Sequence, residues 1–280
     1  MTDLGRACLV PRYVSSPEEA RAVVEAEGAA IVRGIESEEA AIAYGWAVLG
    51  AAGVRVSRQI EATKSNGEAD ELRIKDEPAD ARGRKRDFSA DTAKAMPPHN
   101  DGFAFGDYAP ERLFLFSARA AVTGGESFLI DGGALLDLMA EDPANAEFVE
   151  FATTVDIDHT EPSHPQLPFA PIARSLADGR RQVRHHPYLA PVAGPAEAEQ
   201  WPMVERWHAA VCEARDTGPR FLLETGDMAV VDNYRVLHGR HGHSDPDRRL
   251  YSIWGWTTSA IAVPAGTLDI VEPGQTQLVG

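Results

Sequence analysis

Cysteine and long apolar runs are scarce in this chain, and each shortage excludes a class of protein. Cys8 and Cys212 are the only cysteines, too few for a disulfide framework or a metal cage built from thiolates. No stretch of about 18 apolar residues could cross a membrane. The segment from Met1 to Arg12 has no secretion signal. We therefore expect a cytoplasmic protein with no membrane partner.

Positive charge is also in deficit. Aspartate and glutamate number 43 against 27 lysines and arginines, which gives a formal net charge of −16. No basic cluster is long enough to follow a phosphate backbone, so we expect no nucleic-acid partner. A local basic pocket for a small anion remains compatible with this charge. The partner we expect is a small-molecule substrate.

The domain organisation is predicted to be simple. The 280 residues contain no internal repeat and 44% are hydrophobic, so we expect residues 1–280 to form a single domain. The charged stretch from Ser65 to Thr92 predicts a lid loop at about 65–92, with a short strand at Glu71–Ile74. Residues at about 140–220 are rich in proline, alanine and charge and predict an insertion between two halves of a sheet. The sequence leaves open whether the chain forms a homo-oligomer.

Helix and strand signals predict a mainly β chain with flanking helices, an α+β fold. Ser16-Pro17-Glu18-Glu19 is a capping box with proline at the first helical position, and the helix it opens should end at Gly28. Further helices are predicted from Ser37 to the Gly50–Gly53 region, at Ala134–Met139 and around Trp201–Ala214. Strands are predicted at Ala29–Ile35, Leu113–Ala118, Ser127–Asp131, Phe221–Glu224, Met228–Val231, Val236–Arg240 and Leu250–Thr257. Such short, closely spaced strands are typical of an all-β core dressed with helices.

Candidate metal ligands occur at two distant places. His99 and Asp101 lie two residues apart, so in an extended chain they point to the same face. His238 follows 139 residues later. If the segments meet, two histidines and one carboxylate form a facial triad, which leaves three positions open on an octahedral iron(II) for a bidentate oxo-acid and dioxygen. His-x-Asp alone also fits a surface turn with an incidental histidine, but the distal histidine and a following arginine favour the triad.

That arginine is Arg249, which lies 11 residues beyond His238. A guanidinium can bind the far carboxylate of a dicarboxylic acid through two hydrogen bonds. In the strand that follows, Arg249, Tyr251 and Ile253 alternate onto one face, which we expect to be the inward one. Arg248 should then point outward as a solvated charge. By the same alternation, Trp254 and Trp256 point away from Arg249, as core residues would.

Taken together, these motifs resemble one known family. Their order along most of the chain is similar to that of the taurine dioxygenase (TauD/TfdA) family of Fe(II)/2-oxoglutarate-dependent oxygenases, with residues at about 140–220 matching least. The matching segments are Gly28–Gly34, His99-Asn100-Asp101, Gly124-Gly125-Glu126-Ser127, Gly226-Asp227, Asp232–Arg240 and Arg248-Arg249.

The resemblance implies a double-stranded β-helix (jelly-roll, cupin-like) core. It implies an enzyme that oxidises, and commonly hydroxylates, a C–H bond while 2-oxoglutarate is decarboxylated to succinate. Iron(II) would be held by His99, Asp101 and His238, and 2-oxoglutarate and O2 would be co-substrates. Arg249 and Ser127 would bind the distal carboxylate of 2-oxoglutarate. Serine stands where the family usually has threonine and keeps the hydroxyl donor.

Two positions narrow the expected reaction. Related halogenases have a small residue at the carboxylate-ligand position, which frees it for chloride, whereas Asp101 fills it here, so we do not expect halogenation. In taurine dioxygenases the sulfonate-binding arginine lies four residues beyond the oxo-acid arginine. Ile253 stands there and cannot pair with a sulfonate. We therefore expect a substrate other than taurine, such as an amino acid or a natural-product intermediate.

The candidate substrate residues are less specific. Phe103 and Phe105 follow the first ligands directly and would either wall the substrate pocket or pack in the core. Arg73 and Lys75 lie in the predicted lid and would either recognise a carboxylate or form a solvated face. Ile253 completes this set, because it occupies the position of the sulfonate-binding arginine.

The remaining histidines are expected to have no metal role. His185 and His186 are adjacent and would face opposite ways in a strand, which disfavours a second metal site. His241 and His243 belong to a loop after the distal ligand and are expected at the surface.

Two other functional classes remain open at this level. A jelly-roll metalloprotein could use the same triad for hydrolysis, isomerisation or ligand binding, but it would need no clamp for a dicarboxylate. A non-catalytic sensor that retains the fold would not turn over 2-oxoglutarate.

Overall fold

The structure is a computed structural model that describes residues 3–62, 94–162, 168–265, 268–270 and 276–278. The predicted lid at about 65–92 lies outside the described residues. So do the predicted strand Glu71–Ile74 and the candidate residues Arg73 and Lys75 within it.

Helices lie mainly in the first and third quarters of the chain. They are α1 (Pro17–Glu27), α2 (Glu38–Leu49), α3 (Gly132–Ala140), α4 (Ala146–Thr154) and α5 (Glu197–Thr217). The Ser16 hydroxyl accepts a hydrogen bond from the Glu19 N–H at 3.1 Å, and Gly28 ends the helix in the left-handed conformation with φ 92°. The predicted limits of the first helix are thus confirmed, because both signals depend on local chemistry.

Strands account for most of the remaining regular structure. They are β1 (Cys8–Leu9), β2 (Arg12–Val14), β3 (Ala29–Val32), β4 (Gly53–Ala62), β5 (Met96–His99), β6 (Arg112–Arg119), β7 (Ser127–Asp131), β8 (Ile157–Asp158), β9 (Phe169–Ala170), β10 (Ala173–Ser175), β11 (Arg181–Val183), β12 (Ala190–Pro191), β13 (Met228–Asp232), β14 (Val236–Arg240), β15 (Arg249–Thr257), β16 (Leu268–Ile270) and β17 (Thr276–Leu278).

Two sheets build the core. One has the order β2-β3-β13-β6-β15-β4 and the other the order β1-β7-β14-β5. All pairs in them are antiparallel except β2 with β3. Leu129 and Val236 of the smaller sheet share one apolar cluster with Leu113, Val231 and Trp256 of the larger sheet. The sheets therefore face each other as a jelly roll, and the predicted fold class is confirmed.

The two faces of β15 have different neighbours, and this decides which residues reach the site. Ile253 packs with Phe114 in the cluster that includes α1 and α2, and Tyr251 stacks on Phe116 with ring centroids 5.9 Å apart. Trp254 belongs instead to the cluster between the two sheets. Because side chains alternate along a strand, the face that carries Ser252 and Trp254 points toward β14 and β5.

A second core lies outside the smaller sheet. Phe128 and Ile130 of β7 belong there to one apolar cluster with residues of α3, α4 and α5, including the fully buried Trp207 of α5. The segment between α3 and β13 carries α4 and α5, the two-stranded sheet β10-β11 and the three-stranded sheet β12-β8-β9. This segment corresponds to the stretch that the sequence marked as an insertion.

Some predicted limits need correction. Phe221–Glu224 was predicted as a strand, but it contributes only an isolated bridge between Phe221 and Ser127. The predicted strand Ala29–Ile35 ends at Val32. Among the described residues, no helix combines the length and apolarity needed to span a membrane.

Candidate metal centre and its pocket

The two distant motifs meet at one point between the sheets. His99 ends β5 and lies directly opposite His238 of β14 in the antiparallel register. Asp101 Oδ1 lies 3.2 Å from His99 Nε2 and 3.3 Å from His238 Nε2. One ligand atom from each residue lies within 4.8 Å of the others. The structure thus brings together the three residues that the sequence nominated as metal ligands.

Glycine allows the strands to approach this closely. A Cβ at Gly239 would lie 2.3 Å from the Phe128 ring and 2.6 Å from the Met96 carbonyl oxygen, so any side chain there would force β14 away from β5 and β7. Gly102 adopts φ 72°, which turns the chain directly after Asp101. Both glycines therefore fix the position of the ligand segments.

Hydrogen bonds outside the triad orient its members. His99 Nδ1 lies 2.9 Å from the Pro97 carbonyl oxygen, so Nδ1 carries the proton and Nε2 presents its lone pair to the centre. Asp101 Oδ2 accepts hydrogen bonds from the Ser252 hydroxyl and the Trp254 indole N–H, each at 2.8 Å. The two carboxylate oxygens therefore have different partners, since Oδ2 is hydrogen-bonded to Ser252 and Trp254 and Oδ1 faces the histidines.

Asn233 holds the Asp101 backbone. Its side-chain oxygen accepts from the Asp101 N–H at 2.9 Å, and its amide nitrogen donates to the carbonyl oxygens of Asp101 at 3.0 Å and Pro110 at 2.8 Å. Asn233 is 2% exposed. Because it lies in the turn that leads from β13 of the larger sheet to β14 of the smaller one, it joins the first ligand segment to the strand that carries His238.

The electrostatics of the triad favour an ionised carboxylate. Burial opposes ionisation of Asp101, but hydrogen bonds and charge from His238 and His99 hold its pKa well below the usual range. Burial, aided by the charge of His99, lowers the pKa of His238. Burial also opposes protonation of His99, yet the hydrogen bond and charge of Asp101 raise its pKa overall.

This donor set fits iron(II). Two imidazole nitrogens and one carboxylate oxygen on one side of a centre form the facial triad of non-haem iron(II) oxygenases, with the remaining positions open. Two observations support the fit. Both histidine Nε2 atoms lie close to Asp101 Oδ1, and Oδ2 already accepts hydrogen bonds from two protein donors. Oδ1 is thereby kept for a metal ion.

A cavity of about 90 Å³ extends from the triad. Besides the three ligands, its lining includes Met96, Leu115, Ser127, Arg240, Arg248 and Leu250. Burial lowers the pKa of Arg248 to about 10, and burial together with the charge of Arg248 lowers the pKa of Arg240 to about 9. Within the described part of the chain, no carboxylate pairs with Arg248. The buried guanidinium of Arg240 and the half-buried one of Arg248, beside a serine hydroxyl, form a site for an anion.

The structure places Arg248, and not Arg249, in the wall of this cavity. Arg248, which was expected to point outward, lines the cavity, whereas Arg249 pairs in register with Arg119 and does not. The reason is that Arg249 shares a face of β15 with Tyr251 and Ile253, and this face points toward the helices. In addition, the pairing of β15 with β6 shifts register between Arg249 and Leu250. Ile253 is likewise fully buried on the helix side and does not reach the site.

The other nominated residues divide between site and core. Ser127 lines the cavity, as nominated. Phe103 stacks on His186, with ring centroids 4.0 Å apart and planes 6° apart, beside the first ligand segment. Phe105 is 6% exposed and packs edge-on against Trp254 in the inter-sheet core, so it does not wall the pocket. Sequence reasoning left open whether Phe103 and Phe105 were pocket or core residues.

Several site residues were missed from the sequence. Trp254 lies in the core between the sheets, as expected, but the hydrogen bond from its indole nitrogen to Asp101 was not predicted. Ser252 and Arg240 carried no local signal that separates them from other strand residues. Asn233 lies in the segment Asp232–Arg240 that carried the family resemblance, and this was the signal that could have identified it. Its burial becomes visible only in the structure. His243 was expected at the surface but is half-buried, since its backbone bridges to Gly124.

The chain matches one family model and is similar to several solved structures. The model of the family "Taurine catabolism dioxygenase TauD, TfdA family" matches residues 12–254. The chain is similar to the crystal structure of asparagine oxygenase (AsnO), with a TM-score of 0.61 and 17% identity over 86% of this chain and 77% of that chain. No curated protein matches it in sequence.

Two further solved structures have the same fold. The non-haem iron oxygenase OrfP gives a TM-score of 0.55 and 16% identity over 87% of this chain and 80% of that chain. PvcB from Pseudomonas aeruginosa gives a TM-score of 0.53 and 15% identity over 85% of this chain and 79% of that chain.

Proposed function

We propose residue roles from the premise that this chain belongs to the taurine catabolism dioxygenase TauD, TfdA family. The chain is accordingly a non-haem iron(II) dioxygenase that oxidises a C–H bond of a small molecule and decarboxylates 2-oxoglutarate to succinate. Iron(II), 2-oxoglutarate and O2 are its cofactor and co-substrates. When bound, the iron with its co-substrates supplies an oxidant strong enough to attack an unactivated C–H bond.

His99, Asp101 and His238 hold the iron in this proposal. Ser252 and Trp254 keep Asp101 Oδ2 occupied, which leaves Oδ1 as the single ligand atom of the carboxylate. The Pro97 carbonyl fixes the tautomer of His99. Such supporting contacts set the orientation and basicity of metal ligands. The observation that carries the proposal is the meeting of both Nε2 atoms at one carboxylate oxygen.

Arg248 binds the distal carboxylate of 2-oxoglutarate, with Arg240 and Ser127 beside it. All three line the cavity that begins at the metal ligands. The half-buried guanidinium of Arg248 gains a charge-assisted hydrogen bond when a dicarboxylate enters. Leu115 and Leu250 line the same cavity and keep water from the oxo-acid. A metalloprotein that works by hydrolysis or isomerisation has no need for this anion site.

The primary substrate that we propose is an amino acid. An asparagine oxygenase has been solved with (2S,3S)-3-hydroxyasparagine and succinate, and OrfP with (3S)-hydroxy-L-Arg. Hydroxylation at carbon is therefore the reaction type that we favour. We also propose that residues 1–280 form one oxygenase domain, in which residues at about 140–220 are an insertion.

Succinate formation tests this function. Purified protein with iron(II), 2-oxoglutarate, ascorbate and air should release succinate, and one member of a panel of twenty L-amino acids should raise the rate. The same protein under nitrogen should form the coloured chelate of iron(II) and 2-oxoglutarate. Absence of this chelate would contradict the proposal, because chelate formation needs no primary substrate.

A further inference from the structure

A cluster of buried polar side chains lies next to the metal loop, in the segment that precedes α5. Asn100, between the two ligands of that loop, exchanges hydrogen bonds with His185, since its N–H donates to the His185 carbonyl and its side-chain oxygen accepts from the His185 N–H. The neighbours Arg184 and His186 therefore lie beside the metal loop. The His186 ring stacks on Phe103 and lies 5.4 Å from the His159 ring.

Arg184 is buried without a carboxylate of its own. It is 6% exposed. Its Nη2 lies 3.5 Å from Asp107 Oδ1 and makes no hydrogen bond to any described residue. The same oxygen already accepts from Arg174 at 2.5 Å, and the Asp107 side chain is 53% exposed. The half-exposed carboxylate of Asp107 is thus shared by the guanidinium groups of Arg174 and Arg184. Burial, aided by the charge of Arg174, lowers the pKa of Arg184 to about 10.

A buried arginine that only stabilised the fold would need full pairing, because removing a charge from water is costly. Arg174, whose side chain is 28% exposed, has such pairing, since it also donates to Gln182 at 2.9 Å. The more deeply buried Arg184 does not. It also does not line the cavity of Arg248, so the distal carboxylate of 2-oxoglutarate does not complete it. Among the described residues, Arg184 therefore has no carboxylate that it does not share.

His159 and Thr160 provide the second half of the cluster. His159 is fully buried, and its Nε2 lies 3.0 Å from the Ala170 carbonyl oxygen, so Nε2 carries the proton and Nδ1 is an acceptor. Nδ1 has no partner among the residues described, and neither has the buried Thr160 hydroxyl. Burial, aided by the charge of Arg184, lowers the pKa of His159 to about 3, so the ring stays neutral. The cluster thus offers a cation, a neutral acceptor and a hydroxyl.

We infer that Arg184 binds the α-carboxylate of the primary substrate and that His159 Nδ1 accepts a hydrogen bond from the substrate amino group. This inference rests on the proposed function and names the residues that select its substrate. An α-amino acid fits because it carries an anion and N–H donors on one carbon, whereas an amine or an uncharged amide would leave Arg184 without its partner.

Binding by calorimetry under nitrogen tests the inference. The protein, loaded with iron(II) and 2-oxoglutarate, is titrated with each of the twenty L-amino acids and with the primary carboxamide of each one that binds. We expect at least one amino acid to bind and its carboxamide to bind at least about tenfold more weakly, the size of one charge-assisted hydrogen bond. Arg184→Gln should weaken the acid about 10- to 100-fold and the carboxamide by less than about threefold.

Arg174→Gln is the matched control, because it removes the other guanidinium that contacts Asp107. It should change the affinity for the acid by less than about threefold. Arg184→Lys keeps the charge and should retain part of the discrimination between acid and carboxamide. Thermal melting of each variant identifies any loss of the fold.

Two results would overturn the inference while leaving the proposed function intact. In the first, the iron(II)–2-oxoglutarate chelate forms but no L-amino acid binds. In the second, Arg184→Gln and Arg174→Gln weaken the acid and its carboxamide to the same extent, as a structural role would. Failure of the chelate itself would instead count against the proposed function.

Discussion

Replacing Arg248 by glutamine should separate the binding of 2-oxoglutarate from the binding of iron. The substitution removes the guanidinium that lines the cavity but keeps a polar side chain of moderate length. Loss of one partner from a buried charge pair costs about 2–5 kcal/mol. Arg240 remains beside the carboxylate, so we expect the lower part of that range. The Kd for 2-oxoglutarate should rise about 30- to 300-fold.

The assay is an anaerobic titration of the iron(II) protein, followed by the visible absorbance of the chelate. 2-Oxobutyrate is the matched ligand, because it chelates iron through the same oxo-acid group but has no distal carboxylate. Its Kd should change by less than about threefold in Arg248→Gln, since the lost interaction involves only the distal group. Iron binding without an oxo-acid should match the wild type.

Arg249→Gln is the control variant, because it removes an adjacent arginine that does not line the cavity. Its Kd for 2-oxoglutarate should stay within about threefold of the wild type. The reasoning would be refuted if Arg249→Gln lost the affinity and Arg248→Gln kept it. In that case the direction of the β15 side chains would be the reverse of the one described.

Three further outcomes are expected. Trp254→Phe removes a donor to Asp101 and should weaken iron(II) binding about 10- to 100-fold, measured by competition with a chromogenic chelator. His99→Ala should abolish both the chelate absorbance and succinate formation. Burial lowers the pKa values of His159 and His185 to about 3. As the pH falls, these histidines therefore take up protons in the unfolded chain before they do so in the folded protein. Stability is therefore complete above about pH 6.5 and falls as the pH drops toward 3, by roughly 2 kcal/mol per histidine at pH 5 in urea unfolding.

Each of these has a clear contrary result. Full iron affinity in Trp254→Phe would mean that the indole donor does not orient Asp101, and Trp256→Phe, which loses only a bond to the Tyr108 carbonyl, is its control. Succinate formation by His99→Ala would remove that residue from the metal site. Equal urea stability at pH 7 and pH 5 would show that the two buried histidines are not held neutral.

The sequence predicted features that depend on local chemistry. The capping serine and closing glycine of α1 define their helix through contacts within a few residues, and β7 and β14 have the predicted limits. The meeting of His99 and His238 was expected from the resemblance to the taurine dioxygenase family, which implies that both histidines hold one metal ion, and the two residues lie opposite each other in the structure.

The errors have a different origin, namely long-range packing. Alternation shows that Arg249 and Ile253 share a face, but it does not show which face meets a second sheet. That depends on Phe114 and Phe116 of β6 packing against helices from the N-terminal part of the chain. For the same reason the hydrogen bond from Trp254 to Asp101 was not predicted, since the two residues are 153 positions apart. The role proposed for Arg184 depends on Asp107, because Arg184 shares one oxygen of that carboxylate with Arg174.

The position of Asn100 has a consequence for exchanging parts between relatives. Its backbone N–H and side-chain oxygen are bonded to His185, and its amide nitrogen donates to the Asn233 carbonyl oxygen at 2.8 Å. A chimaera that receives a foreign insertion must therefore keep a compatible main chain at position 185. Without it the spacing of the two ligands in the first motif would shift. Laboratory variation of specificity is best confined to side chains such as His159 that project from the insertion and leave this junction unchanged.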